Sequence, residues 1–114
     1  RLVACFQPHL YSRTREFATE FGRALALADL VVVTDIYGAR EEPVPGVSGK
    51  LVADAAVEAG ADTYYVPNKA ELPVELAALV RGGDFVLTLG AGDVTLVGPM
   101  LLRLLRKRHS RENR

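Results

Sequence analysis

Apolar runs and punctuation alternate regularly along this chain. Leu2, Val3, Ala4, Cys5 and Phe6 form a short apolar run stopped by Gln7 and Pro8, the pattern of a strand buried on both faces. Ser12 is placed to cap a helix, on which Phe17, Phe21, Leu25 and Ala28 recur at spacings of four and three and give one apolar stripe. Leu30, Val31, Val32 and Val33 make a second strand ending at Thr34 and Asp35. The loop after it holds Pro43 and Pro45, which exclude regular helix. Ser48 opens a second helix with Leu51, Val52, Ala55 and Ala56 inward, and Gly60 is its stop. Thr63, Tyr64, Tyr65 and Val66 read as a third strand. A helix follows with Pro73 in its first turn and Leu76, Leu79 and Val80 on its buried face. Phe85, Val86, Leu87, Thr88 and Leu89 read as a fourth strand that runs into Gly90, Ala91, Gly92 and Asp93. The last helix, bent or restarted at Pro99, carries Leu101, Leu102, Leu104 and Leu105.

Strands alternating with helices predict an α/β fold: a Rossmann-like three-layer sandwich with a mainly parallel sheet and four βα units, its crossovers right-handed. The pattern places one domain over residues 1–106 and a polar, frayed tail over 107–114. Composition adds limits. The 114 residues carry 14 Lys and Arg against 14 Asp and Glu, so no basic face argues for nucleic acid. No apolar run reaches the roughly 18–20 residues of a membrane span, and no signal-peptide pattern is present. The single cysteine, Cys5, excludes an internal disulfide and reads as a packed thiol. Opening on Arg1 inside a strand, the sequence reads as a piece of something longer.

In an open parallel sheet, ligands bind beyond the carboxyl ends of the strands. That rule gathers Gln7, His9, Tyr11, Arg13 and Arg15 after the first strand and Asp35, Tyr37, Arg40, Glu41 and Glu42 after the second. After the fourth it adds Gly90, Ala91, Gly92 and Asp93, while the opposite edge shows ordinary turn residues. Each group also has a plainer reading. A loop histidine such as His9 often serves only as a structural hydrogen-bonder. Asp35 serves equally to cap the turn it begins, and Glu41 and Glu42 read as surface. Arg13 and Arg15 oppose the dipole of the helix they start, which makes sense if an anion occupies that site. Two phosphate-loop look-alikes fail. Gly90-Ala91-Gly92 has Thr95 where a third glycine would stand, and Gly46-Val47-Ser48-Gly49-Lys50 is too short and has Leu51 in the Ser/Thr place. No metal-ligand spacing is present.

Four segments together resemble a known family. They are Phe6-Gln7-Pro8-His9-x-Tyr11-Ser12-Arg13-Thr14-Arg15, Asp35-Ile36-Tyr37-x-Ala39-x-Glu41, Pro43-Val44-Pro45-Gly46-Val47-Ser48-Gly49 and Gly90-Ala91-Gly92-Asp93. In order and spacing, from about residue 2 to 105, they are similar to the C-terminal domain of the Mur ligases, in the branch that joins L-alanine to UDP-N-acetylmuramate. Position 10, often Arg in that branch, is Leu10 here. The resemblance implies a cytoplasmic, three-domain enzyme of peptidoglycan synthesis. Its N-terminal domain binds the UDP-sugar, and its central domain holds ATP and Mg²⁺. The muramoyl carboxylate becomes an acyl phosphate that the L-alanine amine attacks. His9 and Arg13 then correspond to substrate-contacting positions, with Tyr11, Asp35, Tyr37, Gly90, Ala91 and Gly92 as cleft-lining candidates. No catalytic group and no metal ligand is expected within this piece, which is inactive when alone. Two alternatives stay open: a related ligase that adds another amino acid or recycles peptides, and a free-standing module that binds a small anion.

Overall fold

The computed structural model describes residues 1–112. Its elements run β1 (Leu2–Gln7), α1 (Tyr11–Leu25), β2 (Leu30–Val33), α2 (Lys50–Glu58), β3 (Thr63–Tyr65), α3 (Leu72–Leu79), β4 (Phe85–Gly90) and α4 (Val97–Glu112). Short 3-10 turns at Lys69–Glu71 and Gly92–Leu96 lead into α3 and α4. All neighbouring strands are parallel, in the order β3-β2-β1-β4, with Cys5 opposite both Val32 and Thr88. The α/β, three-layer architecture is the one the alternation of strands and helices predicts.

The strand period of two builds both cores at once. Val3 and Cys5 of β1 and Leu30 and Val32 of β2 face one layer, with Leu72, Leu76, Val94, Val97 and Leu101. Ala4, Val31 and Val33 point to the other, against Leu25, Val52, Ala53 and Ala56. Helices α3 and α4 therefore cover one face, α1 and α2 the opposite one. Cys5 is fully buried, and burial pushes its thiol up to about 12, so it packs as an apolar residue.

Local details depart from the sequence pattern. Ser12 does not cap α1. The helix begins at Tyr11 behind Leu10, and Ser12 lies inside the first turn. Pro99 neither bends nor restarts α4, because it is the third residue of that helix, where its missing N–H costs nothing. Nor are residues 107–112 a frayed tail. The helix continues through them, anchored where the Arg108 guanidinium donates to the Ala77 carbonyl at 2.8 Å. The last two positions of the expected tail, 113–114, lie outside the described residues.

Candidate functional site

The exits of β1 and β2 are joined edge to edge. His9 and Tyr37 form an isolated parallel bridge. The Tyr37 amide donates to the Pro8 carbonyl and the Leu10 amide to the Tyr37 carbonyl, each at 2.9 Å. The two rings stack with centroids 5.8 Å apart and planes 20° from parallel. Leu10 turns the chain into α1 at φ +70°, a left-handed value unusual for a side chain with a Cβ. The fully buried Thr14 fixes this corner by donating its hydroxyl to the Leu10 carbonyl at 2.7 Å.

The start of α1 is held by a carboxylate from another loop. Glu41 accepts from the Ser12 amide at 3.1 Å and also from the Ser12 hydroxyl. The hydroxyl bond is the main cause that holds the Glu41 carboxyl below its ordinary range. An anion thus does sit at the N-terminus of α1, but the chain supplies it. Glu41 is half-buried and structural, which corrects its reading as surface. Arg13 and Arg15 are exposed and make no hydrogen bond or ion pair among the described residues.

Asp35 fulfils its capping reading. One carboxylate oxygen accepts from the Ile36 and Gly49 amides, both at 2.9 Å, and so ties the end of β2 to the start of α2. Ser48 adds a bond to the Lys50 amide at 3.2 Å. Gly49 is required here by space, since a Cβ on it would lie 2.2 Å from the Thr34 carbonyl oxygen. Beside Asp35, burial is the leading cause that raises the Tyr65 phenol.

The glycine turn closes the same end of the sheet. Gly90 has φ +133°, and a Cβ there would meet the Gln7 carbonyl oxygen at 2.3 Å. Gly92 has φ +77° and lies close to the Tyr37 ring, to which a Cβ would come within 3.3 Å. Asp93 pairs with Lys69 at 2.9 Å, bringing the segment after β3 to the exit of β4. Gln7 is buried, donates weakly to the Asp35 carbonyl at 3.4 Å, and leaves its Oε1 without a partner.

A cavity of about 380 Å³ opens between these loops, lined by Gln7, Tyr11, Asp35, Tyr37, Glu41 and Lys69 among others. Of the residues singled out in the sequence, Gln7, Tyr11, Asp35, Tyr37 and Glu41 line it. His9, Arg13, Gly90, Ala91 and Gly92 stand on the same rim outside its wall. Lys69 is an addition. No local pattern announces that Lys69 reaches Asp93. The opposite rim is not bare either: Arg1 pairs with Asp84 at 2.9 Å, and Asp29 accepts from the Leu2 amide at 2.7 Å.

Fold and rim together define a Rossmann-like α/β domain that gathers its polar groups beyond the carboxyl ends of a parallel sheet. Residues 1–92 match the family described as Mur ligase, glutamate ligase domain, and the chain belongs to that family. It is 67% identical over 105 residues to the UDP-N-acetylmuramate–L-alanine ligase of Cutibacterium acnes, covering 92% of this chain and 22% of that protein. The ligase of the same name from Kineococcus radiotolerans is 58% identical over 108 residues (95% and 23%), and that of Streptomyces avermitilis 55% over 107 residues (94% and 23%). The chain therefore spans about a fifth of the length of the curated relatives it matches. Among the described residues no helix is long and apolar enough to cross a membrane.

Proposed function

We propose that this chain is the C-terminal domain of an ATP-dependent ligase that joins L-alanine to the carboxylate of UDP-N-acetylmuramate, in the cytoplasmic stage of peptidoglycan synthesis. The observation that carries the reading is the 67% identity across nearly the whole chain to a protein of that name. The rim supports it, with His9 held in place and Arg13 without a partner. In this reading Arg13 holds a carboxylate or acyl-phosphate oxygen by a charge-assisted hydrogen bond, and His9 contacts the same substrate. The unbonded guanidinium of Arg13 suits that role, since no internal contact must be broken first.

ATP and Mg²⁺ belong to the rest of the parent enzyme. Among the described residues no three His, Cys, Asp or Glu side chains come together to hold a metal. The domain's share is to close over the reacting groups and align them, as lids do. By itself it is inactive.

A ligation assay of the full-length parent with a panel of amino acids is the test. L-alanine is expected to be the preferred substrate, and the isolated chain is expected to show no turnover. Preference for another amino acid would overturn the assignment, and muramate-dependent turnover by the isolated chain would overturn the division of labour.

A further inference from the structure

We propose that Tyr37 is a positioning residue: its ring fixes the imidazole of His9 at the exit of β1, and the bare Gly92 leaves the room that ring needs. The inference rests on the reading of His9 as a substrate contact. His9 makes no side-chain hydrogen bond among the described residues; besides the charge of nearby Glu41, the stacked Tyr37 ring is the contact that bears on its imidazole. The backbones of the two residues are already locked by the bridge and its two flanking 2.9 Å bonds, which set the distance between the rings. A stacked aromatic pair favours one ring orientation over the freely rotating alternatives.

The turn after β4 also comes close to the Tyr37 ring. A Cβ on Gly92 would stand 3.3, 3.4 and 3.5 Å from Cδ2, Cγ and Cε2 of that ring, so the turn after β4 passes in close contact with it. One side chain thus touches the exits of three strands: its own, that of His9 and that of the glycine turn. The glycine turn need not touch substrate to matter, because it supports the ring that orients His9. A group held before substrate arrives avoids the ordering cost of being held afterwards.

Two variants and two measurements test this. The chain has two histidines, His9 and His109, so its imidazole proton resonances in solution NMR report on His9 with His109 as an internal reference. Tyr37→Leu removes the ring current and is expected to shift the His9 resonances alone. Tyr37→Phe keeps the ring and leaves them in place, with circular dichroism showing the fold intact in both. In the full-length ligase, Tyr37→Leu is expected to raise KM for the substrate that His9 contacts about tenfold with a smaller change in kcat, and Tyr37→Phe to recover most of the loss. His9 resonances unmoved by Tyr37→Leu would overturn the proposal. So would shifted resonances with an unchanged KM, or equal losses in the Leu and Phe variants. A separate variant, His9→Gln, tests the underlying reading: unchanged ligation would remove His9 from the substrate, while the NMR result would still decide whether Tyr37 holds the ring.

Discussion

At the amino end of the sheet Arg1, Asp29 and Asp84 are matched within the chain, while the exposed Arg81 guanidinium has no partner among the described residues. Arg1 donates to both carboxylate oxygens of Asp84, at 3.2 and 2.9 Å, and also to the Leu79 carbonyl. Asp84 accepts in addition from the Arg81 amide at 2.8 Å, and Asp29 from the Leu2 amide. The carboxyl end is mixed. Asp35 and Glu41 are bound to backbone amides, Lys69 to Asp93, yet Arg13 and the Oε1 of Gln7 have no partner among the described residues. Groups whose hydrogen bonds are complete belong to the fold. An unpartnered guanidinium or a buried amide oxygen is a group whose best partner comes from outside. Both rims carry charge and an exposed unpartnered arginine, so charge alone does not distinguish them; what distinguishes them is the buried Oε1 of Gln7, which has no counterpart at the amino end among the described residues.

The sharpest way to break the comparison is to show that part of the carboxyl rim is pure scaffold. Gly49→Ala puts a Cβ 2.2 Å from the Thr34 carbonyl oxygen, a backbone atom that yields only by parting the end of β2 from α2. Overpacking of this kind costs about 3 kcal/mol. Urea titration of the variant is expected to show that loss at an unchanged m-value, and a loss under about 1 kcal/mol would mean the two segments are loosely held.

Next in size is Arg13→Ala, which separates site from scaffold on one rim. The side chain is exposed and bonds nothing within the domain, so the urea midpoint should not move. In the full-length ligase, kcat/KM is expected to fall by about tenfold or more, equivalent to roughly 1.4 kcal/mol of lost transition-state contact. Unchanged kinetics would place Arg13 among solvated surface residues and leave the unpartnered cation without significance.

The division between scaffold and site also marks what the sequence could show. Strand period, helix stripe and turn residues are local, so the four βα units are readable from Val3 against Ala4 or Leu76 against Pro73. The rule for parallel sheets then assigns His9, Asp35 and Gly90 to one rim without any contact being known. Partnerships across the chain are not local. Ser12 looks like a helix cap by its neighbours and is instead bound by Glu41, 29 residues away. Lys69 and Asp93 meet across 24 residues, and the basic stretch after Leu105 reads as a tail until Arg108 finds the Ala77 carbonyl. In each case tertiary packing supplies a partner that no spacing in the sequence encodes.

The smallest effect tests the amino rim, through acid. The Asp84 carboxylate is only 5% exposed and lies against Arg1, whose bond is the main cause that lowers its carboxyl from 3.8 to about 2. A carboxyl held below its unfolded value binds fewer protons in the native state. The stability it contributes is therefore fully present above about pH 4 and is lost as pH falls from there toward 2. The urea midpoint of the chain should decline over that interval, and Asp84→Asn should flatten the decline while lowering the midpoint at neutral pH. The variant should leave ligation by the parent enzyme unchanged, because Asp84 stands at the end of the sheet away from His9 and Arg13. An acid decline identical in the two proteins would show that Arg1 and Asp84 stabilise nothing. The amino rim would then differ from the carboxyl rim only in geometry, and completed hydrogen bonds would no longer serve to tell scaffold from site.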